Sequence, residues 1–143
     1  MSGIDSQFCT FRVGQMFFGL EVEQVQEVIR FQSMTRVPLA PSEVHGLINL
    51  RGQIVTAIDM RTRMGLPLLE DELPMNVILT GDYGAVSLLV DEIGDVIELA
   101  DELFEHPPNT LGADVRELVR GVYKLEEQLL LILDANAAIQ IAA

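Results

Sequence analysis

Short apolar runs, many of them alternating with polar residues, fill most of this chain, and turn-forming residues stop them at intervals of roughly 8–12. Residues 8–13 (FCTFRV) and 16–20 (MFFGL) read as two strands joined through Gly14-Gln15, a two-residue hairpin turn. The period then changes. In VEQVQEVIRF, Val22, Val25, Val28 and Ile29 recur at helical spacing with Glu23, Gln26, Glu27 and Arg30 between them, which predicts a short amphipathic helix with Glu27 facing outward. Strands resume at 34–37 (MTRV), and Pro38 and Pro41 break the chain. Residues 47–50 (LINL) and 53–58 (QIVTAI) flank Arg51-Gly52 as a tight hairpin. DMRTRMGLP reads as a helical turn ending at Gly65 and Pro67, and the acidic segment 66–75, with its two prolines, as a surface loop.

Strands return at 76–80, 85–90 and 93–99, the first two separated by a turn at Gly81-Asp82-Tyr83-Gly84. HPPN at 106–109 is irregular, and residues 119–125 and 128–133 form a last hairpin through Glu126-Glu127. Asp134 is placed to cap a short C-terminal helix running through Ile141. About ten short strands imply a mostly β fold, and strands this short suit small barrels better than one broad sheet. The loop near 66–75 divides them into two groups, so the expectation is a single domain, residues 1–143, made of two packed barrel lobes.

Composition narrows the function. At 143 residues the chain has the length of one domain, and with 49% hydrophobic but only 6% aromatic residues its core must be aliphatic. Acidic residues outnumber basic ones 22 to 9, a net charge of −13, which argues against nucleic acid and anionic lipid as partners. Cys9 is the single cysteine, has no internal partner, and in its apolar run reads as a small buried hydrophobe. The start MSGIDSQF lacks the basic and apolar regions of a signal peptide, and no apolar run approaches the roughly 20 residues that span a bilayer. A cytoplasmic location without direct membrane insertion is expected.

One internal echo invites a chemical reading. VTAIDM, SLLVDE and LLILDA each end an apolar run in aspartate, so Asp59, Asp91 and Asp134 could converge as a carboxylate site for a divalent cation, as in a metal-dependent hydrolase. The simpler reading is that aspartate after a strand starts turns and caps helices through nearby backbone N–H groups. Other catalytic constellations are missing: His45 and His106 are far apart, neither shares a metal spacing with Cys9, and there is no P-loop, GxGxxG or GxSxG. No polar set converges on an apolar pocket, and no cofactor is expected. Glu27 and Arg51 remain as outward charges, which would ordinarily be solvated and inconsequential. The hairpin turn needs Gly52, but it does not need arginine.

VQEVI at 25–29, HGLINLRGQIVTAIDMR at 45–61, AVSLLVDEIGDVI at 85–97 and RGVYKLEEQLLLILD at 120–134, in this order and spacing, resemble the CheW family of chemotaxis coupling proteins. The resemblance covers nearly the whole chain and is most specific in the NLRG segment. It implies two packed five-stranded SH3-like barrels, no enzymatic activity, and a scaffold coupling methyl-accepting chemotaxis receptors to the CheA histidine kinase. The implied partners are the kinase regulatory domain and the cytoplasmic tip of the receptors, with recruitment to membrane receptor arrays.

Carried over residue by residue, the resemblance implies receptor-binding roles for Val22, Val25, Glu27, Arg51 and Gly52 in a groove between the barrels. Kinase-binding roles are implied for Val44, Gly46, Leu88 and Val96. Ser87 stands where the family often has glycine, beside a possible contact surface, and Thr56 where it often has proline, restoring a backbone donor. Adaptors of pilus motility or developmental signalling share the architecture and are the alternative. The chain's own start and ordered end favour a separate adaptor over a domain cut from a larger kinase.

Overall fold

Ten strands in two five-stranded sheets make up the fold in the computed structural model, which describes residues 5–69, 72–80 and 84–140. The first sheet holds β1 (Asp5–Val13), β2 (Met16–Glu21), β8 (Glu92–Ala100), β9 (Val119–Lys124) and β10 (Leu129–Leu133), in the order β8-β1-β2-β10-β9. The second holds β3 (Val25–Ile29), β4 (Val44–Leu50), β5 (Gln53–Asp59), β6 (Met75–Leu79) and β7 (Val86–Val90), in the order β3-β6-β7-β5-β4. Neighbours are antiparallel except β2 with β10 and β5 with β7. Three short α-helices complete the fold: α1 (Met60–Arg63), α2 (Ala113–Arg116) and α3 (Ala135–Ile139).

The division between the lobes does not fall where the sequence suggested. The segment 66–75 falls between β5 and the start of β6 at Met75, and both strands belong to the second sheet. Parallel pairing of β5 with β7 draws the chain back beside itself after the loop. The crossings between sheets are instead short, at residues 22–24 and at Asp91. Alternation within a strand records which face is buried, not which strand lies beside it.

The helix expected over 22–31 is a second correction: a 3₁₀ turn, Val22–Gln24, leads into β3. Val25 pairs with Leu79 but Glu27 pairs with Ile78, so Gln26 is an extra residue in a β-bulge. Val28 then lies opposite Val77, while Ile29 packs against the cluster inside the second lobe. A bulged strand lying between two cores thus spaces its apolar residues at 25, 28 and 29, as a helix would, and its β-branched residues favour the strand. Of the strand expected at 34–37, only Thr35 pairs, with Leu47. The turn expected at 81–84 lies, except for Gly84, outside the described residues, as does Ile141; α3 ends at Ile139.

Each sheet comes round on itself through one bridge. Thr35, beyond β3, exchanges backbone hydrogen bonds of 2.9 and 2.8 Å with Leu47 on β4, the opposite edge. Glu105, beyond β8, does the same with Val122 on β9 at 2.9 and 2.8 Å. A glycine precedes each bridged residue. A Cβ on Gly46 would stand 2.8 Å from the Thr35 carbonyl oxygen, and one on Gly121 2.6 Å from that of Glu105. The chain spells this equivalence. VHGLINLRGQIVTAID (44–59) and VRGVYKLEEQLLLILD (119–134) share Val, Gly, Leu, Gln and Asp at matching positions. The two lobes have the same cyclic strand order, with β8, β9, β10, β1 and β2 matching β3 to β7.

Apolar packing follows from this. Ile48, Leu50, Val55, Ala57, Ile78 and Leu89 fill the second lobe, and Phe8, Tyr123, Leu130 and Ile132 fill the first. A larger cluster between the sheets includes Phe11, Phe18, Leu20, Ile58, Val77, Leu88 and Leu131. Asp91 ties the sheets together at its edge. Its carboxylate accepts hydrogen bonds from Arg61 Nε and Nη2, at 2.9 and 2.7 Å, and from Gly14 N at 2.7 Å in the β1–β2 turn.

Candidate functional site

The three aspartates of the internal echo have separate tasks. Asp59 caps α1, accepting from Arg61 N at 2.9 Å and Thr62 N at 3.3 Å, and its other oxygen stands 3.7 Å from His45 Nδ1. Asp134 caps α3 through Ala137 N at 3.1 Å, the matching position in the other lobe. Asp91 is engaged by Arg61 and Gly14. No group of three carboxylate, histidine or cysteine side chains suited to a metal exists among the described residues. Asp59 and Asp134 are helix caps and Asp91 is an ion-pair residue, so the three do not come together as the carboxylate site of a metal-dependent hydrolase.

Arg51 and Glu27 do meet. Leu50 and Gln53 pair across a two-residue loop in which Arg51 has φ 51° and Gly52 φ 85°, the signature of a type I′ turn. A Cβ on Gly52 would touch nothing, so the glycine is there for its backbone angle. Left-handed backbone costs an ordinary L-residue about 1–2 kcal/mol, which makes arginine an expensive occupant of position 51. Asn49 Oδ1 accepts from Gly52 N at 3.0 Å and braces the turn.

The β3 bulge aims the partner. In an unbroken strand Glu27 would lie opposite Val77 and share the face of Val25, toward the first sheet. The extra residue turns it to the side of Ile78, where the Arg51 tip arrives from the far edge of the same sheet. Arg51 Nη2 donates to Glu27 Oε2, and Gln26 Nε2 adds a bond to the same oxygen at 3.3 Å. The hydrogen bond from Arg51 holds the Glu27 carboxyl below the usual glutamate range; partial desolvation opposes this and the Gln26 amide supports it. Arg51 keeps 65% of its side chain in solvent, against 25% for Glu27, so the cation is the more accessible member. Arginine's flat fork of donors suits it both to this carboxylate and to an arriving acceptor.

The opposite face of the same sheet, the one toward the first sheet, carries a mostly apolar row. Val25, Leu79, Val86, Thr56 and Leu47 are successive lateral partners across β3, β6, β7, β5 and β4, and so share one face of the sheet. Val25, Leu79 and Val86 lie in or against the cluster between the sheets. Ile54, two residues before Thr56 on β5, extends the row past the ends of β6 and β7 and is 58% exposed. Thr56 uses its restored donor, giving its N–H to the Ala85 carbonyl at 3.2 Å. Val22 sits half-buried in the 3₁₀ turn that links the sheets.

The kinase set divides. Leu88 is fully buried between the sheets and has no surface to offer a partner. Gly46 is buried beneath Thr35, where its missing side chain serves the closing bridge. These two are structural residues. Val44 is half-buried at the start of β4. Val96 is 58% exposed on the edge strand β8, beside Cys9 on β1. Cys9 is half-buried, and burial pushes its thiol pKa up. Ser87 is also reassigned: it is fully buried inside the second lobe, and its Oγ donates to Asn76 Oδ1 at 2.7 Å. Asn76 Nδ2 in turn donates to the Arg30 carbonyl at 3.0 Å, so this polar group is paired in the core and touches no contact surface.

Sequence reasoning missed three surface features. Asn49 was hidden inside LINL; an asparagine preceding Arg-Gly was the available signal. Ile54 reads as one more strand apolar until the ends of its neighbours are known. Leu39, with φ 67°, is fully exposed between Pro38 and Pro41, and nothing in the pattern distinguishes it from a core leucine.

Comparison with known proteins agrees with this geometry. A family model described as a CheW-like domain matches residues 7–143. The chain is 35% identical over 131 residues to the chemotaxis protein CheW of Bacillus subtilis, covering 90% of this chain and 83% of that one. It is 31% identical over 135 residues to the chemotaxis protein CheW of Treponema pallidum, covering 91% and 79%. Among solved structures, the scaffolding protein TtCheW from Thermoanaerobacter tengcongensis superposes with a TM-score of 0.83 at 26% identity, covering 92% of this chain and 90% of that one. With the Glu27–Arg51 pair engaged and the family model matched along almost the whole chain, the chain belongs to the CheW family of non-enzymatic chemotaxis scaffolds.

Proposed function

We propose that this scaffold couples methyl-accepting chemotaxis receptors to a CheA-type histidine kinase, binding the receptor's cytoplasmic tip and the kinase regulatory domain at separate surfaces. The observation that carries the reading is the cost of Arg51. The equivalent hairpin in the first lobe closes through Glu126-Glu127, with Leu125 N on the Gln128 carbonyl at 2.9 Å, and uses no left-handed residue. A two-residue connection at this place in the lobe therefore does not require the Arg-Gly turn. A strained arginine, aimed at a carboxylate by a bulge and still mostly in solvent, is what a recognition site retains and a purely structural turn does not.

On this reading the receptor helices lie along Val22, Val25, Glu27, Arg51 and Gly52, with Ile54 and Val86 as apolar floor. The kinase domain pairs at the exposed edge around Val96, with Val44 on the second lobe. Location at membrane receptor arrays follows from the receptor contact; among the described residues, no helix is long and apolar enough to cross a membrane. The test is a three-component assembly from the same organism's receptor-tip and kinase regulatory fragments. The scaffold is expected to retain both at once. Competition of the two fragments for one surface would overturn the proposal.

A further inference from the structure

We infer that Asn49 is the positioning residue of the recognition site: by fixing the peptide plane between Arg51 and Gly52, it holds Arg51 in its left-handed conformation and so delivers the guanidinium to Glu27. The inference deepens the receptor-binding reading and rests on it for its biological meaning, but not for its structural test.

The argument begins with what Arg51 would do unaided. Asparagine, aspartate or glycine is the favoured first residue of a type I′ turn, and arginine is not. Its preferred backbone wells lie at negative φ, and moving there would swing the side chain away from β3. Something must hold the turn. The Gly52 N–H belongs to the peptide joining Arg51 to Gly52, whose orientation sets ψ of Arg51 and φ of Gly52 together. Asn49 Oδ1 accepts from that N–H at 3.0 Å. A short amide side chain bonded to backbone three residues ahead is the kind of local lock that fixes a turn. Asn49 itself is held by the β4–β5 ladder, where it lies opposite Ile54, so the lock is anchored on a strand. The matching residue of the first lobe is Lys124, which has no acceptor to offer, and the turn there places no residue in the left-handed region. Asparagine and the strained arginine occur together in one lobe and are both missing from the other.

The primary test uses the ligand-free protein. The side-chain carboxyl of Glu27 is titrated by NMR in the parent, Asn49→Ala, Asn49→Ser and Arg51→Ala. The Arg51 contact holds this carboxyl low. Asn49→Ala is expected to raise its midpoint toward that of Arg51→Ala, and Asn49→Ser, which restores an acceptor without adding charge, to return it toward the parent value. An unchanged Glu27 midpoint in Asn49→Ala overturns the inference. Should Asn49→Ala fail to fold, Asn49→Ser and Asn49→Gln carry the comparison, the longer amide being unable to make the bond without displacing the turn.

The second measurement is affinity for a peptide of the receptor's cytoplasmic hairpin tip. Asn49→Ala is expected to weaken it by roughly three- to tenfold, the size of one hydrogen bond, and to have no further effect in the Arg51→Ala background. Equal losses in both backgrounds would show that Asn49 acts independently of Arg51, and would also overturn the inference. If Arg51→Ala itself leaves peptide affinity unchanged, the receptor-binding reading fails, while the Glu27 titration still decides whether Asn49 positions Arg51.

Discussion

Replacing Asp91 with alanine would cut a charged link between the two sheets. Asp91 and Arg61 keep only 12% and 17% of their side chains in solvent. The substitution removes both bonds of the Arg61 fork and leaves the Gly14 N–H of the β1–β2 turn without its acceptor. Breaking a buried pair by deleting one partner costs about 3–5 kcal/mol, because the other charge is left stranded. Arg61 retains its bond to the Pro67 carbonyl at 2.8 Å and some access to water, which places the expected loss near 3 kcal/mol, at the low end of that range. For a domain of this size that is a fall in melting temperature of about 10 °C.

Acid dependence supplies an independent readout of the same link. Burial alone would raise the Asp91 carboxyl, but the Arg61 fork and the Gly14 N–H outweigh it and hold the pKa below the ordinary aspartate value. A depressed carboxyl contributes its stability above the unfolded pKa, near 4, and loses it as pH falls through the lower folded value. The parent should therefore lose stability below about pH 4 more steeply than Asp91→Asn, in which position 91 no longer titrates. Calorimetry on Asp91→Ala, Arg61→Ala and the double variant completes the test. The double should cost less than the sum, since it strands no charge. A melting shift under about 2 °C for Asp91→Ala, or strict additivity, would refute the account of this link.

Gly121→Ala places a methyl carbon 2.6 Å from the backbone oxygen of Glu105, against 2.8 Å from that of Thr35 for Gly46→Ala. Both should destabilise by about 1–3 kcal/mol in urea denaturation, the first more than the second, and unchanged midpoints would mean that the closing bridges tolerate a side chain. Val96→Asp adds a charge on the exposed edge strand, so it should weaken binding of the kinase regulatory fragment at least tenfold while the fold survives; unfolding, or undiminished binding, would remove Val96 from the kinase surface. Arg51→Ala should lower receptor-peptide affinity roughly 30-fold with little change in melting temperature, and Arg51→Lys should recover only part of it, because a point charge cannot replace the fork.

Hairpins were the legible part of this fold. Arg51-Gly52, Glu126-Glu127 and the Asp59 and Asp134 caps are specified by residues within a few positions of one another, and they occur where the chain placed them. Pairing between distant segments was not legible. Nothing local states that β2 lies parallel to β10, or that β5 returns beside β7. The segment 25–29 misled because one inserted residue converts the two-residue period of a strand into helical spacing. Arg51 could be singled out because its side chain is irrelevant to the turn, and Glu27 because of the family resemblance. That a bulge and Asn49 bring them together depends on register, which composition and spacing do not contain.

The cyclic offset between the lobes has a consequence for the order in which the chain can be made into a protein. The second lobe is continuous, from β3 to β7, and its strands can pair as soon as residue 90 is available. The first cannot: the parallel partner of β2 is β10, whose last residue, Leu133, is synthesised 112 positions after Glu21. At ribosomal rates of about 5–20 residues per second, the β1–β2 hairpin waits roughly 6–22 s with Phe8 unburied by its final partners Tyr123, Leu130 and Ile132. The earliest segment to emerge is thus among the last to be completed. The second lobe, finished in the interval, offers the hairpin an apolar face to rest against until the far end of the chain arrives.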